Sequence, residues 1–224
     1  MRVGIFRVIS GLRCSEVKRA CRDDCAAICS GTEDPVIDVL VTSRIPMDAK
    51  DVLFIAVASV LASAIEEVAN VFVGLKWPCC ATSRGKVVAS CSIHFEDLDD
   101  LSRFYLELRV NTNGVREGRE LSETSLSAEA GAPVSNEALL RSLLKRLSNA
   151  LSDIKAGVRA RFILEFTKHF ANLGEEVKVV LTSGEEVVGE VMGLGRDGSI
   201  ALLSAGKMVF IKPSEARDVV TLWP

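Results

Sequence analysis

The chain has 224 residues, 48% hydrophobic and 25% charged, enough to close a conventional core and too apolar for a disordered chain. Its formal charge of −3 argues against a general polyanion binder, although it says little about a single phosphate-binding site. The N-terminus carries no pattern of a secretory signal, and seven cysteines in such a chain point to reduced thiols and a cytoplasmic protein.

Arg2–Ile9 alternates charged and apolar residues as a half-buried strand does, and Ser15–Arg22 reads as a short helix with Ser15 as N-cap. Turn signals at Ser30-Gly31 and Asp34-Pro35 precede the apolar strand Val36–Thr42. Ala49–Ala69 reads as one long helix. Its apolar run from Val52 to Ile65 falls short of the roughly 20 residues a bilayer helix needs, so a buried core helix is expected and no membrane contact. Val71–Lys76, Lys86–Phe95 and Phe104–Asn111 are further strands, the last two around the acidic turn Glu96–Asp100.

Thr112–Pro133 is polar and reads as loop. Ser135 then opens a helix on which Leu139, Leu140, Leu143, Leu144, Leu147 and Leu151 recur at helical spacing, and a second helical stretch runs through Phe162, Phe166 and Phe170. Strands followed by helices predict an α/β or α+β layer domain over 1–172. Beyond Gly174, Val177–Thr182, Glu186–Met192, Ser199–Leu203, Lys207–Lys212 and Asp218–Leu222 are short strands separated by turn signals. They predict a small SH3-like β-barrel over 173–224. That segment, from Gly174 on, holds eight acidic and five basic residues, so no nucleic-acid partner is expected.

Five short motifs stand in a particular order. They are Leu75-Lys76-Trp77-Pro78; Gly85-Lys86-Val87-Val88-Ala89; Val110-Asn111-Thr112-Asn113; Thr124-Ser125-Leu126 with Gly131; and Gly189–Leu194 with Asp197-Gly198. In order and approximate spacing they resemble the KWPND, RK(I/V/L)AG, GIGINVN and TSL elements and the C-terminal barrel of the biotin–protein ligases. The resemblance implies a catalytic domain related to the class II aminoacyl-tRNA synthetase core. It also implies activation of biotin by ATP/Mg2+ to an adenylate, with transfer to a lysine of a biotin carboxyl carrier domain. A homodimer is a further expectation from the family and from the apolar strands.

Adenylate formation needs a carboxylate held beside a phosphate, cations to spread developing charge, and exclusion of water. Lys86 stands where the family has its active-site lysine. Lys76, Trp77 and Asn111 are candidate contacts to the nucleotide; solvated charge, seam aromatic and local turn are their plainer readings. The departures from the family are specific. Cys79-Cys80 replaces the Asn-Asp that follows KWP, and a neutral thiol is no substitute for a hard oxygen donor to Mg2+. Glu107 and Arg109 replace paired glycines, and Ala89 replaces another. The Gly-Arg-Gly-Arg loop expected before Val36 has only Asp24–Pro35 to occupy, with no arginine in it. These losses predict impaired adenylation, with a non-enzymatic ligand-binding or interaction module as the alternative.

Cys14, Cys21, Cys25 and Cys29 would form a metal-binding stripe on one continuous helix. Ala26-Ala27-Ile28 reads instead as strand, which scatters the thiols, and no metal site is assigned. His94 and His169 have no nucleophile partner in recognisable order, which leaves hydrolase chemistry without support.

Overall fold

A computed structural model describes residues 2–10, 23–29, 34–114 and 123–222. Its centre is helix α1 (Lys50–Ala69), which ends on Asn70 in the left-handed region. Between Val52 and Ile65 every residue except Ser63 is buried. A helix apolar on all sides must be enclosed on all sides, and here protein encloses it rather than lipid. The one polar group deep within it, the Ser59 hydroxyl, donates to the Ile55 carbonyl at 2.8 Å.

One side of α1 is covered by an eight-stranded sheet of β1 (Arg2–Val3), β2 (Phe6–Ser10), β3 (Cys25–Ile28), β4 (Val36–Pro46), β5 (Gly74–Lys76), β6 (Cys80–Ser83), β7 (Lys86–Leu98) and β8 (Leu101–Asn111). The spatial order is β1-β2-β3-β4-β8-β7-β6-β5, antiparallel except for the β2–β3 pair. Along β8, Phe104, Leu106, Leu108 and Val110 are buried toward the helices while Glu107 and Arg109 are exposed on the opposite face. Three further helices complete the first layer: α2 (Leu126–Ala130), α3 (Asn136–Lys155) and α4 (Ala160–His169). Ser135 caps α3 by accepting from the Ala138 amide at 3.2 Å, and the leucines spaced along it are buried.

Several expectations are corrected. The stretch 112–133 is not all loop: Ser125 caps the single-turn helix α2 by accepting from the Ala128 amide at 3.3 Å. Strand pairing continues through most of the expected acidic turn, leaving only Asp99 and Asp100 outside the ladder, because Leu98 pairs with Leu101. Strand β6, Cys-Ala-Thr-Ser, was missed because its apolar content is too low to show alternation; its partners β5 and β7 make it a strand. The helix expected at Ser15–Arg22 lies outside the described residues.

The reduced-thiol expectation also fails. The β6–β7 ladder brings the Cα atoms of Cys79 and Cys91 to 5.8 Å and the two are disulfide-bonded to each other; Cys25 and Cys29 each take part in a disulfide as well, though not with one another. Counting cysteines could not reveal this, since pairing is decided by strand register.

The second sheet comprises β9 (Glu176–Leu181), β10 (Glu186–Leu194), β11 (Ile200–Ser204), β12 (Lys207–Ile211) and β13 (Ala216–Thr221), in the order β12-β11-β10-β9-β13. No ladder joins β12 to β13, so among the described residues the expected SH3-like segment is a C-terminal β-sheet domain without a closed ring of strand pairing. Its inner side chains, Val177, Val179, Val191, Leu202 and Ile211, belong to the same core cluster as α1. The apolar core is therefore continuous from the first layer into the second sheet.

Trp77 joins the two parts. It is 1% exposed, its indole N–H donates to the Gly198 carbonyl at 2.9 Å, and its amide donates to the Asn172 side chain at 2.8 Å. Gly198 has φ +88°, and a Cβ there would lie 2.7 Å from Ile55 Cγ1 on α1, so only glycine lets this turn approach the helix. Trp77→Ala removes both the buried ring and a buried donor. It is expected to lower unfolding free energy by about 3–5 kcal/mol, read from the urea midpoint.

Candidate functional site

The sheet face turned away from the helices has no covering helix layer among the described residues and carries the polar side chains. Register sets a row across three strands: Asp38 on β4 pairs with Arg109 on β8, which pairs with Ser90 on β7. Two residues along, Leu40 pairs with Glu107 and Glu107 with Ser92. All of these except Leu40 line, with Cys29, a depression of about 530 Å3. Arg109 lies 3.7 Å from Asp38, an exposed pair of little structural value. Glu107 and Arg109 thus occupy the floor of the sheet, where the ligase resemblance implies glycines and close ligand approach.

Further along the same face, charge is paired more tightly. Arg103 donates to Glu96 at 2.9 Å, and the Tyr105 hydroxyl donates to the same carboxylate oxygen at 3.2 Å. Arg44 grips Asp23 through two nitrogens, at 2.8 and 2.6 Å. His94 on β7 is in register with Tyr105. Next to this polar strip Cys25, Ala27 and Leu40 form a small buried cluster of their own, packed with Ile9 and Tyr105, so the face is only partly open.

The four candidate site residues do not converge on one point. Lys86 is exposed at the start of β7, in register with Ser83 across the Arg84-Gly85 turn. No ion pair holds it among the described residues. Lys76 instead reaches the second sheet, with its ammonium 3.2 Å from the Thr221 hydroxyl and 3.5 Å from Glu175. Trp77 is sealed in the seam. Asn111 uses both ends of its amide locally, donating to the Thr124 carbonyl at 3.1 Å and accepting from the Gly114 amide at 3.0 Å. The Thr124 amide in turn donates to the Val87 carbonyl at 2.9 Å, which ties Asn111 to the strand that carries Lys86.

A second hollow of about 820 Å3 lies between the β6–β7 turn and the second sheet, lined among others by Phe72, Lys76, Arg84, Glu129, Glu175 and Thr221. Sequence reasoning missed Glu129. Its carboxylate accepts from the Thr124 hydroxyl at 2.9 Å and the Ser83 hydroxyl at 3.4 Å, with Arg84 at 3.6 Å. The only signal for it in the sequence was its place on the first turn after Thr124-Ser125-Leu126, which by itself assigns no role.

The donors near the Trp77-Pro78 turn do not fit Mg2+. Cys79 is consumed in its disulfide, and burial pushes the Cys80 thiol up to about 11, so it is a neutral soft donor at physiological pH. Among the described residues no group of three or more His, Cys, Asp or Glu is placed to hold a metal ion. Cys25 and Cys29 are disulfide-bonded and offer no thiolate for the four-cysteine stripe, whose other members Cys14 and Cys21 lie outside the described residues.

No protein-family model matches the chain, and no curated protein matches it. Solved structures do. The apo biotin protein ligase of Aquifex aeolicus aligns over 96% of this chain and 97% of its own, at 18% identity and a TM-score of 0.78. A single-residue variant of that enzyme in complex with biotin gives 0.79, at 18% identity over 96% of this chain and 98% of its own. A biotin protein ligase-like protein of unknown function from Silicibacter covers 94% of this chain and 95% of its own, at 16% identity and a TM-score of 0.76. At such identities the likeness is one of fold: a mixed α+β layer domain with a C-terminal β-sheet domain.

The raised Cys80 thiol has a direct consequence. In the folded protein it should react with iodoacetamide at about pH 8 far more slowly than in denaturant, by about tenfold or more; equal rates would place it in solvent.

Proposed function

We propose that this chain, built on the biotin protein ligase fold, is a divergent ligase-like protein that keeps a small-ligand site on the open face of its main sheet. We further propose that it is impaired in forming an acyl-adenylate. The observation that carries this reading is the turn after Trp77-Pro78. Where the ligase motif continues with Asn-Asp, a disulfide-bonded Cys79 and a protonated Cys80 stand, and neither presents an oxygen. Without a hard donor, no counter-charge is held there for a triphosphate.

The site residues take their proposed roles from this arrangement. Lys86 supplies a positive point charge for the carboxylate of an acidic ligand. Ser90 and Ser92 offer hydroxyls from the sheet floor, and the Arg109 fork, loosely held by Asp38, can turn toward an anionic group. Lys76 lines the second hollow rather than this floor, and Trp77 and Asn111 are held by local hydrogen bonds, so none of the three is assigned a ligand contact on this floor. Biotin is the first ligand to test, because a solved structure of the same fold holds it. A biotin carboxyl carrier domain is the corresponding acceptor.

A second reading, a non-enzymatic ligand-binding or interaction module, is favoured by Glu107 and Arg109. Their side chains stand on the floor where the ligase motif has glycines, and they reduce the room for an adenylate.

Incubation with ATP/Mg2+, biotin and a carrier domain, followed by an avidin blot, separates these readings. The expected outcome is labelling at least about a hundredfold below that of an active ligase of this fold, with a calorimetric signal for biotin. Labelling at an ordinary ligase rate would sink the impaired-adenylation reading. Lys86→Ala should abolish any residual label and weaken biotin binding. If both are unchanged, Lys86 has no part in the site.

A further inference from the structure

We propose that the second hollow, between the β6–β7 turn and the second sheet, is a binding site for a neutral, polyhydroxylated ring compound of the sugar type. It shares no lining residue with the depression on the floor of the main sheet, so it does not rest on the ligase reading. Its volume of about 820 Å3 falls in the range of ligand pockets, about 300–1,000 Å3.

The first component is an aromatic shelf. Phe72 lines the hollow and is 73% exposed, more than any other large hydrophobic residue among those described. The chain on either side of it is fixed. The Asn70 amide donates to the Glu66 carbonyl at 3.1 Å, and the Val73 amide donates to the Glu66 carboxylate at 3.3 Å. The Val73 carbonyl accepts from His169 Nδ1 at 2.9 Å, and the His169 ring lies beside the Phe72 ring, with centroids 5.9 Å apart and planes at 30°. A ring already held in place loses little freedom when a ligand covers it.

Charge is the second component, and it cancels. Two cations and two acids line the hollow, and they are paired: Lys76 is 3.5 Å from Glu175, and Arg84 is 3.6 Å from Glu129. An anionic ligand would compete with a carboxylate for each cation, and an amine would meet the converse, so the lining favours a ligand without net charge. Hydrogen-bonding capacity is what the pairs leave over. The described donors to Glu175, which are the Asn172 amide at 2.8 Å, the Thr221 hydroxyl at 3.3 Å and Lys76, all go to Oε2, so Oε1 is left to accept. Arg84 meets Glu129 through Nε, and its two terminal nitrogens have no partner among the described residues. Hydroxyl groups both donate and accept, so a polyol can use both kinds of site at once. The C–H groups on one side of a sugar ring suit the electron-rich face of an aromatic shelf. A nucleotide would suit the shelf but not the cancelled charge.

Ligand-observed NMR and calorimetry on the whole chain, with cellobiose, maltose, lactose and di-N-acetylchitobiose as probes, test this. At least one is expected to bind with a dissociation constant of about 1 mM or below. Its affinity should change by less than about twofold between low and high salt, since no net charge is screened. Phe72→Ala should weaken binding by about tenfold or more and Arg84→Ala by about threefold or more. Both side chains are largely exposed, so the thermal transition should stay in place. The proposal is overturned if none of the four binds at about 10 mM, if binding is indifferent to Phe72→Ala, or if adenosine or ATP binds at Phe72 in place of the sugars. None of these outcomes bears on labelling by biotin, so this site and the ligase reading fail separately.

Discussion

A helix without a polar side cannot rest against solvent, and most of the architecture follows from enclosing α1. The main sheet covers one side of it, and α3 and α4 pack against it on the others. The second sheet closes the region near its start, where Gly198 meets Ile55 and the Ser214 amide donates to Asp51 at 3.0 Å. The inner side chains of that second sheet belong to the same core cluster as α1. The seam is then held by Trp77, whose ring and N–H groups engage both parts at once. Enclosure of one helix thus explains why a small C-terminal sheet is attached so closely to a larger layer domain.

The same arrangement leaves the opposite face of the main sheet for chemistry. A sheet packed on one side presents alternate residues outward, so what the face can do depends on every second position of β4, β7 and β8. Here those positions hold Asp38, Ser90, Ser92, Glu107 and Arg109, and the ligase resemblance implies glycines at the last two. Side chains of that size exchange close backbone approach for hydrogen bonding and charge. The nearby turn has likewise exchanged oxygen donors for a disulfide and a protonated thiol. On the proposed reading, both features leave a ligand-sized hollow without the hard donors that a phosphate-bearing intermediate requires.

Pattern in the chain was enough for the elements with a strong period. The leucine spacing of α3, the continuous apolar run of α1 and the alternation of β8 each follow from one residue facing one environment, and each is found where expected. Weakly patterned pieces were not readable. The strand β6 has no apolar period and exists because β5 and β7 offer it hydrogen-bond partners. Lys76 looks like a solvated strand end until Glu175 and Thr221, the latter 145 residues away, are brought to it.

By itself, then, the order of the residues determined the layered α+β fold, the core helix and the likeness to the biotin–protein ligases, since these depend on local period and short motifs. Tertiary structure alone decided the cysteine pairing, the strand order of the second sheet, the burial of Trp77 and the company kept by Glu129. Those are contacts between residues distant along the chain. Strand register and the packing of one layer on another select them, and no local pattern encodes either.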